Sequence, residues 1–191
     1  MNDLRFAAPG LAVCVLLAAG CQSDLPVDVA EKALVLRAAD LVPFGYELED
    51  TEPYEVFSKT RYFDGTHDVT YEFETPESEA ENALYLSVTL TFERKRSDAF
   101  LAHGIEKTAI IAGLSVAGLE SREVKDFYEY GDSSTFYILE QDGSPVGNVF
   151  SLRDGNKIYL IVLSGMYFDD PAAWADLVEE KLERFSAYEP A

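Results

Sequence analysis

Few side chains in this sequence have the types and spacing that metal binding or proton transfer requires. Asp64, His67 and Asp68 share one predicted hairpin turn and could hold a cation weakly, but a solvated turn in which Asp64 bonds the backbone is favoured. His103 stands on a predicted helix beside Gly104, and we expect it to be exposed or hydrogen-bonded. Neither histidine belongs to a metal-binding helical pair, so we predict no metal site and no cofactor.

A serine motif comes close to a nucleophile elbow. The segment 113–118 follows the pattern G-x-S-x-G around Ser115, except that Ala117 occupies the last position of the motif. The elbow should follow a strand and open a helix, whereas this segment follows a predicted helix. Carboxylates are so numerous that pairs at glycosidase separation are expected by chance. We therefore predict no catalytic residue and leave ligand-binding residues unassigned.

Cys21 has the chemistry for a different reaction. An uncharged run, Phe6–Gly20, is too short to span a bilayer and is typical of an export signal. The run ends in Leu17-Ala18-Ala19-Gly20-Cys21, which resembles the lipobox of bacterial envelope lipoproteins. The resemblance implies that the Cys21 thiol receives a diacylglyceryl group, that cleavage follows Gly20, and that palmitate or another acyl chain caps the new terminus. The alternative is an ordinary secretory signal with an incidental cysteine.

Lipidation would leave the mature chain without a free thiol. The other cysteine, Cys14, lies in the predicted signal, so no disulfide and no cysteine metal site can form in the mature domain. The resemblance further implies that Gln22, rather than Asp, after the lipidated cysteine favours the outer membrane. We predict a signal peptide over 1–20, a lipidated tether over 21–27 and one domain over 28–191, in the cell envelope and facing the periplasm or the outside.

Composition and charge exclude other classes of protein. The 191 residues include 35 Asp+Glu and 15 Lys+Arg, which give a formal charge of −20 at pH 7. This charge excludes a protein that binds nucleic acid through its phosphates. Apolar residues make up 48% of the chain, which excludes a disordered chain. Because anionic lipid head groups repel an acidic body, we expect the domain to be tethered near the membrane without lying on it.

Period-two alternation of apolar and polar residues predicts a sheet with one buried face. The predicted turns Asp64-Gly65, Asp142-Gly143 and Asp154-Gly155 indicate hairpins. Together they predict an α+β fold, a single domain with an antiparallel sheet of about six to eight strands packed by helices. The strands are expected at 46–49, 54–63, 69–74, 84–93, 123–130, 135–140, 146–153 and 157–164.

Three helices are predicted around these strands. Asp28 and Glu31 form a capping box for a helix over 29–39, which Pro43 follows. A second helix runs over 97–112 and stops at Gly113. It carries Leu101, Ile105, Thr108 and Ala112 on one side. Asp170 and Pro171 begin a third helix, whose apolar stripe should pack on the sheet: Trp174, Leu177, Val178, Leu182 and Phe185.

This order of elements resembles the PsbP-like α+β superfamily, including DcrB-type envelope lipoproteins. The resemblance covers most of 42–187 and is carried by the aromatic segment 126–130, the turn and strand 154–160, and the helix end Glu183-Arg184-Phe185. It implies a small accessory or assembly protein without catalysis. It transfers no binding residue to this chain.

Aromatic side chains crowd the second half of the sequence. We favour sheet core and cross-strand pairing for them, and the alternative is an apolar cleft for a lipid tail, glycan or peptide. They are Tyr128, Tyr130, Phe136, Tyr137, Tyr159, Tyr167 and Phe168.

The leading hypothesis is a non-enzymatic binding or accessory module of the bacterial envelope. Its partners would be membrane lipid, through acylated Cys21, and an envelope protein or a small apolar or aromatic ligand. One alternative is an envelope hydrolase, which would need a deep cleft holding two carboxylates with raised pKa values. The other is a structural lipoprotein that braces the envelope and has no pocket.

Overall fold

A computed structural model describes residues 21–22, 25–47, 53–75 and 83–190. The predicted signal peptide and part of the strand predicted at 46–49 lie outside these residues. The described part of the chain contains eight strands and three α-helices. In chain order they are β1 Cys21–Gln22, α1 Val29–Leu34, β2 Tyr54–Tyr62, β3 His67–Glu74, β4 Tyr85–Phe92, α2 Arg96–Val116, β5 Glu120–Glu123, β6 Ser133–Gln141, β7 Ser144–Asp154, β8 Lys157–Ser164 and α3 Pro171–Ala187.

All eight strands belong to one antiparallel sheet in the order β1-β2-β3-β4-β8-β7-β6-β5. The chain thus forms two meanders that meet where β4 pairs with β8. Because β4 is central and β5 is at an edge, α2 must cross one face of the sheet to connect them. The prediction of a single α+β domain with six to eight antiparallel strands is confirmed.

The main core lies between the other face of the sheet and the segments α1, α3 and a 3₁₀ helix, Ala38–Phe44. The alternating apolar residues of β3 and β4 point into it, as predicted. The predicted stripe of α3 is buried throughout, from Trp174 to Phe185. Its helix begins as expected, since Asp170 Oδ1 accepts a 2.9 Å hydrogen bond from the backbone N–H of Ala172.

The predicted hairpin turns and the predicted capping box are confirmed. Gly65, Gly143 and Gly155 all have positive φ in hairpin turns. The capping box also forms, with Glu31 N–H donating to Asp28 Oδ1 at 2.7 Å and Asp28 N–H donating to Glu31 Oε2 at 3.2 Å.

Three predicted boundaries are wrong. The first helix ends at Leu34, because residues 34–36 extend to enter the core and the 3₁₀ helix then contains Pro43. The strand predicted at 123–130 is replaced by β5 at 120–123 and an irregular segment in which Asp126 has φ +56°. Gly113 does not stop α2, which continues to Val116 and ends before Gly118 at φ +81°.

Candidate functional site

The outer side of α2 is the most unusual surface of the domain. The side chains that share helical spacing on it are exposed rather than packed: Leu101 is 63% exposed and Ile105 is 67% exposed. Thr108 and Ala112, one and two turns further along, are exposed as well. We call Leu101, Ile105, Thr108 and Ala112 the α2 stripe. None of the four is charged, so the stripe offers a partner a weakly hydrated face.

The helix α2 as a whole is unusually apolar for one that packs on a sheet. By length and composition, α2 is the described helix that could cross a membrane, yet only 17% of that stretch is buried in the domain. Phe100, next to the stripe, is 66% exposed and lies beneath the guanidinium of Arg153 at 5.8 Å. A core helix of this hydropathy would bury most of its side chains, whereas α2 leaves them in contact with water.

The side of α2 that faces the sheet is polar in its first half. His103 is buried, and its ring bonds the backbone of Ser151 in β7. In the part of the chain that the structure describes, His103 Nε2, Ser151 Oγ and Thr135 Oγ1 are buried without a hydrogen-bond partner. Ser151 and Thr135 are cross-strand partners, so the three orphaned atoms belong to one polar layer under the helix.

The second half of α2 packs in the usual way. Leu114 is buried against Leu139, Val149 and Leu160 in a second, smaller core. Helical spacing places Ala99, His103 and Leu114 on the sheet side. In the first half of α2 the sheet side therefore carries only the small Ala99 and the polar His103, whereas the large apolar side chains Leu101 and Ile105 face outward.

Three carboxyl groups act on one another beside α2. Burial, with smaller contributions from Asp68 and Glu93, raises the pKa of Glu106 to about 8. Burial also raises the pKa values of Asp68 and Glu93. Asp68 accepts hydrogen bonds from the hydroxyls of Tyr62 and Thr91, both at 2.8 Å. None of the three carboxyl groups lines either of the two pockets described below.

A pocket of about 240 Å³ lies beside α1 and contains a buried ion pair. Glu31, only 1% exposed, accepts a 2.5 Å hydrogen bond from Lys59 Nζ. The same Oε1 lies 3.7 Å from His67 Nε2. The pocket is lined by Leu25, Pro26, Asp28, Glu31, Lys59, Arg61, His67 and Tyr188.

The surroundings of His67 favour its neutral form. Burial lowers its pKa, the Lys59 ammonium lowers it further, and Glu31 opposes both. Its ring stacks on Phe92 with centroids 4.7 Å apart. Because Lys59 already occupies Glu31 Oε1, this arrangement is an ion pair beside an imidazole rather than a set of cation ligands. In the described ranges, no group of three or more His, Cys, Asp or Glu side chains could hold a metal ion.

One of the two histidines differs from the sequence interpretation. His67 is the first residue of β3 and is buried, not part of a solvated turn with Asp64 and Asp68. The turn itself behaves as predicted, since Asp64 Oδ1 accepts a hydrogen bond from the backbone N–H of Thr66. His103 is buried, and its bond to the backbone of Ser151 agrees with the second of the two alternatives given for it, although Nε2 has no partner among the described residues.

The other candidates are placed as follows. Ser115 is exposed in the last turn of α2, which is not the geometry of a nucleophile elbow. Cys21 begins β1, where it pairs in register with Tyr62. The structure does not bring Cys21, Ser115 and the Glu31 pocket together as one site.

Most of the crowded aromatic residues form core. Phe136, Tyr137, Tyr159 and Phe168 are buried, and Phe136 and Phe168 both pack edge-on against Trp174. Tyr167 is 42% exposed. Tyr128 and Tyr130 are partly buried, and Tyr128 and Phe136 line a second pocket of about 180 Å³ formed by residues 123–129 and 134–136.

The comparisons with known proteins add no relative. The chain matches no protein-family model, and no curated protein or solved structure matches it significantly. The PsbP-like resemblance and the lipobox resemblance therefore stay predictions.

The outward placement of Leu101 and Ile105 on α2 is the feature that sequence reasoning missed. A signal for it was present in the strands: β7, against which α2 packs, carries Ser151 on that face, and Ser151 pairs with Thr135 of β6. A helix that begins above such a polar face has little apolar surface to receive Leu101 and Ile105.

Proposed function

We propose that this chain is a lipid-anchored, non-enzymatic binding module of the bacterial cell envelope, and that the α2 stripe docks a partner protein. The observation that carries the proposal is the exposure of Leu101 and Ile105 on a long apolar helix. An apolar helix face left open to water typically serves as an interaction surface.

The geometry specifies what the partner must offer. The α2 stripe is uncharged, includes the small residue Ala112 and is bordered by Gly104. Such a face accepts an apolar helix or strand at close approach, because small side chains let backbones come together. The polar layer around His103 and Ser151 lies on the opposite side of α2 and does not compete for this partner.

Lipidation of Cys21 supplies the location in this proposal. The small residues that precede Cys21, and the uncharged run before them, support lipidation. Acylation at one residue with two or three chains holds a protein on the membrane stably. We further propose the outer membrane, on the strength of Gln22. Metabolic labelling with palmitate should mark the natural chain and fail to mark Cys21→Ser.

Site-specific photocrosslinking in intact cells tests the docking surface. A benzophenone side chain at Ile105 should give one reproducible adduct with an envelope protein. The matched control is the same group at Glu180, whose exposed side chain lies on α3. Leu101→Asp should weaken the Ile105 adduct. Equal adducts at both positions, or none at Ile105, would contradict docking on the stripe.

A hydrolase is the second candidate. The carboxyl groups of Asp68, Glu93 and Glu106 all have raised pKa values, as a hydrolase requires, but none of them lines either of the two pockets, so only half of the requirement is met. A carboxyl group that is protonated near neutral pH can act as a general acid. This candidate requires that Glu106→Gln abolish release of sugars or peptides from purified envelope polymers while leaving the fold intact. If the natural chain releases nothing, the candidate is eliminated.

A further inference from the structure

We propose that one end of the domain lies directly on the lipid surface, with Phe63 and the Arg94-Lys95 pair among the head groups. We call this the β1 end: β1, the β2–β3 turn, and the segment from β4 to the first turn of α2. The inference rests on the proposed function, because it takes acylated Cys21 as the anchor. It adds a second membrane contact and a fixed orientation.

The sheet register determines where the anchor would attach. Cys21 pairs with Tyr62, the last residue of β2, and Phe63 follows at the tip of the turn. At the same level β4 ends at Phe92, and α2 begins at Arg96. The acyl chains on Cys21 would therefore hold the β2–β3 turn and the start of α2 close to the bilayer.

Aromatic side chains project into solvent at this end. Phe63 is 89% exposed, and Phe100, in the second turn of α2 just beyond the β1 end, is 66% exposed. The side chain of Arg94 lies along the turn, since a Cβ on Gly65 would stand 3.2 Å from Arg94 Cδ. An exposed aromatic next to a cation is the combination that interfacial membrane contacts use.

The cations at the β1 end are free to meet lipid phosphates. Arg94 and Lys95 are exposed and form no ion pair with any described residue. The same segments carry three carboxyl groups, Asp64, Glu93 and Asp98, which match the three cations Arg94, Lys95 and Arg96 in number, and the first two accept hydrogen bonds from Thr66. Arg96 differs, because it is paired with Asp132 on the neighbouring loop at 2.7 Å.

The opposite end of the sheet carries the contrasting charge. Glu120, Asp142, Asp169 and Asp170 are all exposed there. A formal charge of −20 repels an anionic bilayer as a whole, but an asymmetric distribution turns the least acidic end toward it. Because of this asymmetry, we propose contact at the β1 end in place of the earlier expectation that the domain is tethered near the membrane without lying on it.

Labelling tests the orientation in the full lipidated protein. Since the mature chain has no thiol besides Cys21, a cysteine introduced at 63, 105 or 169 can carry one environment-sensitive fluorophore. Each protein is reconstituted in vesicles of phosphatidylethanolamine and phosphatidylglycerol, and brominated lipid is used as the quencher. Intact mass establishes first whether Cys21 bears lipid.

The outcomes separate the two proposals. Strong quenching at Phe63→Cys with little at Asp169→Cys supports the inference. Equal weak quenching at both sites in a lipidated protein overturns it and leaves the lipid anchor standing. Stronger quenching at Ile105→Cys than at position 63 also overturns it, since the domain would then lie on α2. A bare Cys21 thiol refutes the proposed function and the inference with it.

A charge reversal tests the electrostatic part. Lys95→Glu should lower the ratio of surface-bound to free domain roughly thirtyfold, which is about fivefold for each of the two units of charge that the reversal changes, read from quenching at position 63. The matched control, Lys125→Glu, reverses an exposed lysine outside the β1 end and should leave the ratio unchanged. Added salt should reduce the difference between the variants. Equal effects of the two reversals would overturn a specific contact at the β1 end.

Discussion

The hydroxyl of Tyr159, fully buried in β8, donates a 3.0 Å hydrogen bond to the carbonyl oxygen of Leu34, the last residue of α1. The same hydroxyl accepts a 3.0 Å bond from the backbone N–H of Leu36. One side chain of a central strand thus satisfies two backbone groups where α1 ends and the chain enters the core.

Tyr159→Phe should destabilise the domain by about 2 kcal/mol, because it leaves a buried N–H and a buried C=O unpaired. Urea unfolding measures the loss. The control, Tyr167→Phe, alters an exposed side chain and should change stability by less than ~0.5 kcal/mol. If the two variants were equally stable, the hydrogen bonds of Tyr159 would make no net contribution to the free energy of unfolding.

Lys59→Met should cost about 3 kcal/mol, since it leaves the buried Glu31 carboxylate without its cation. Adding Glu31→Gln to this variant should restore part of the loss. The pKa of His67 should rise in Lys59→Met, because the ammonium is one of the charges that lowers it. NMR titration of His67 measures this rise, and Lys125→Met serves as control. An unchanged His67 titration would show that Lys59 does not act on the ring.

Glu106→Gln should flatten the dependence of stability on pH. The folded protein holds the Glu106 proton up to a pKa of about 8, whereas the unfolded chain loses it near 4.5. Between these values the folded state binds more protons, so the free energy of unfolding falls as pH rises. Thermal unfolding from pH 4 to pH 9 should therefore show a smaller decline in the variant. The slope that remains comes from Asp68 and Glu93, whose pKa values are also raised.

The control for this measurement is Glu180→Gln on α3, an exposed carboxylate paired with Arg184. Its stability curve should run parallel to that of the natural chain. Parallel curves for Glu106→Gln as well would mean that Glu106 ionises freely in the folded state.

Gly104→Ala should stabilise the domain by about 1 kcal/mol, because alanine has less backbone freedom than glycine in the unfolded chain and loses less of it when α2 forms. The added Cβ meets nothing within 4 Å. Gly147→Ala is the opposite case. Its Cβ would lie 2.1 Å from the carbonyl oxygen of Leu163, so we expect a loss of ~3 kcal/mol. Thermal unfolding compares the two variants, and a destabilised Gly104→Ala would contradict the open space at that position.

Sequence reasoning succeeded where local chemistry decides the structure. The capping box of Asp28 and Glu31, the start of α3 at Asp170 and the turn at Gly65 each depend on residues close in sequence. Alternation in β3 and β4 likewise reports directly which face is buried. These features need no information about distant parts of the chain.

Sequence reasoning failed where the burial or conformation of a residue depends on residues that are distant in the sequence. The spacing of Leu101 and Ile105 cannot reveal that the sheet beneath α2 presents Ser151 and Thr135. The burial of His67 depends on Lys59 and Glu31, which reach it from another strand and from α1. The aromatic segment before β6 has strand-like composition, but the backbone at Asp126 adopts positive φ instead.

The meeting of β4 and β8 at the centre of the sheet has a consequence for the order of assembly. Each meander contains contacts between neighbouring strands, whereas Phe92 must find Lys157 across the whole of α2, β5, β6 and β7. Closing so long a loop costs chain entropy before the contacts between β4 and β8 can stabilise the fold, so these contacts form late. We expect two locally formed halves to join in the slow step of refolding. Until they join, the inner edges of β4 and β8 are unpaired, which is when a nascent chain would most need protection from aggregation.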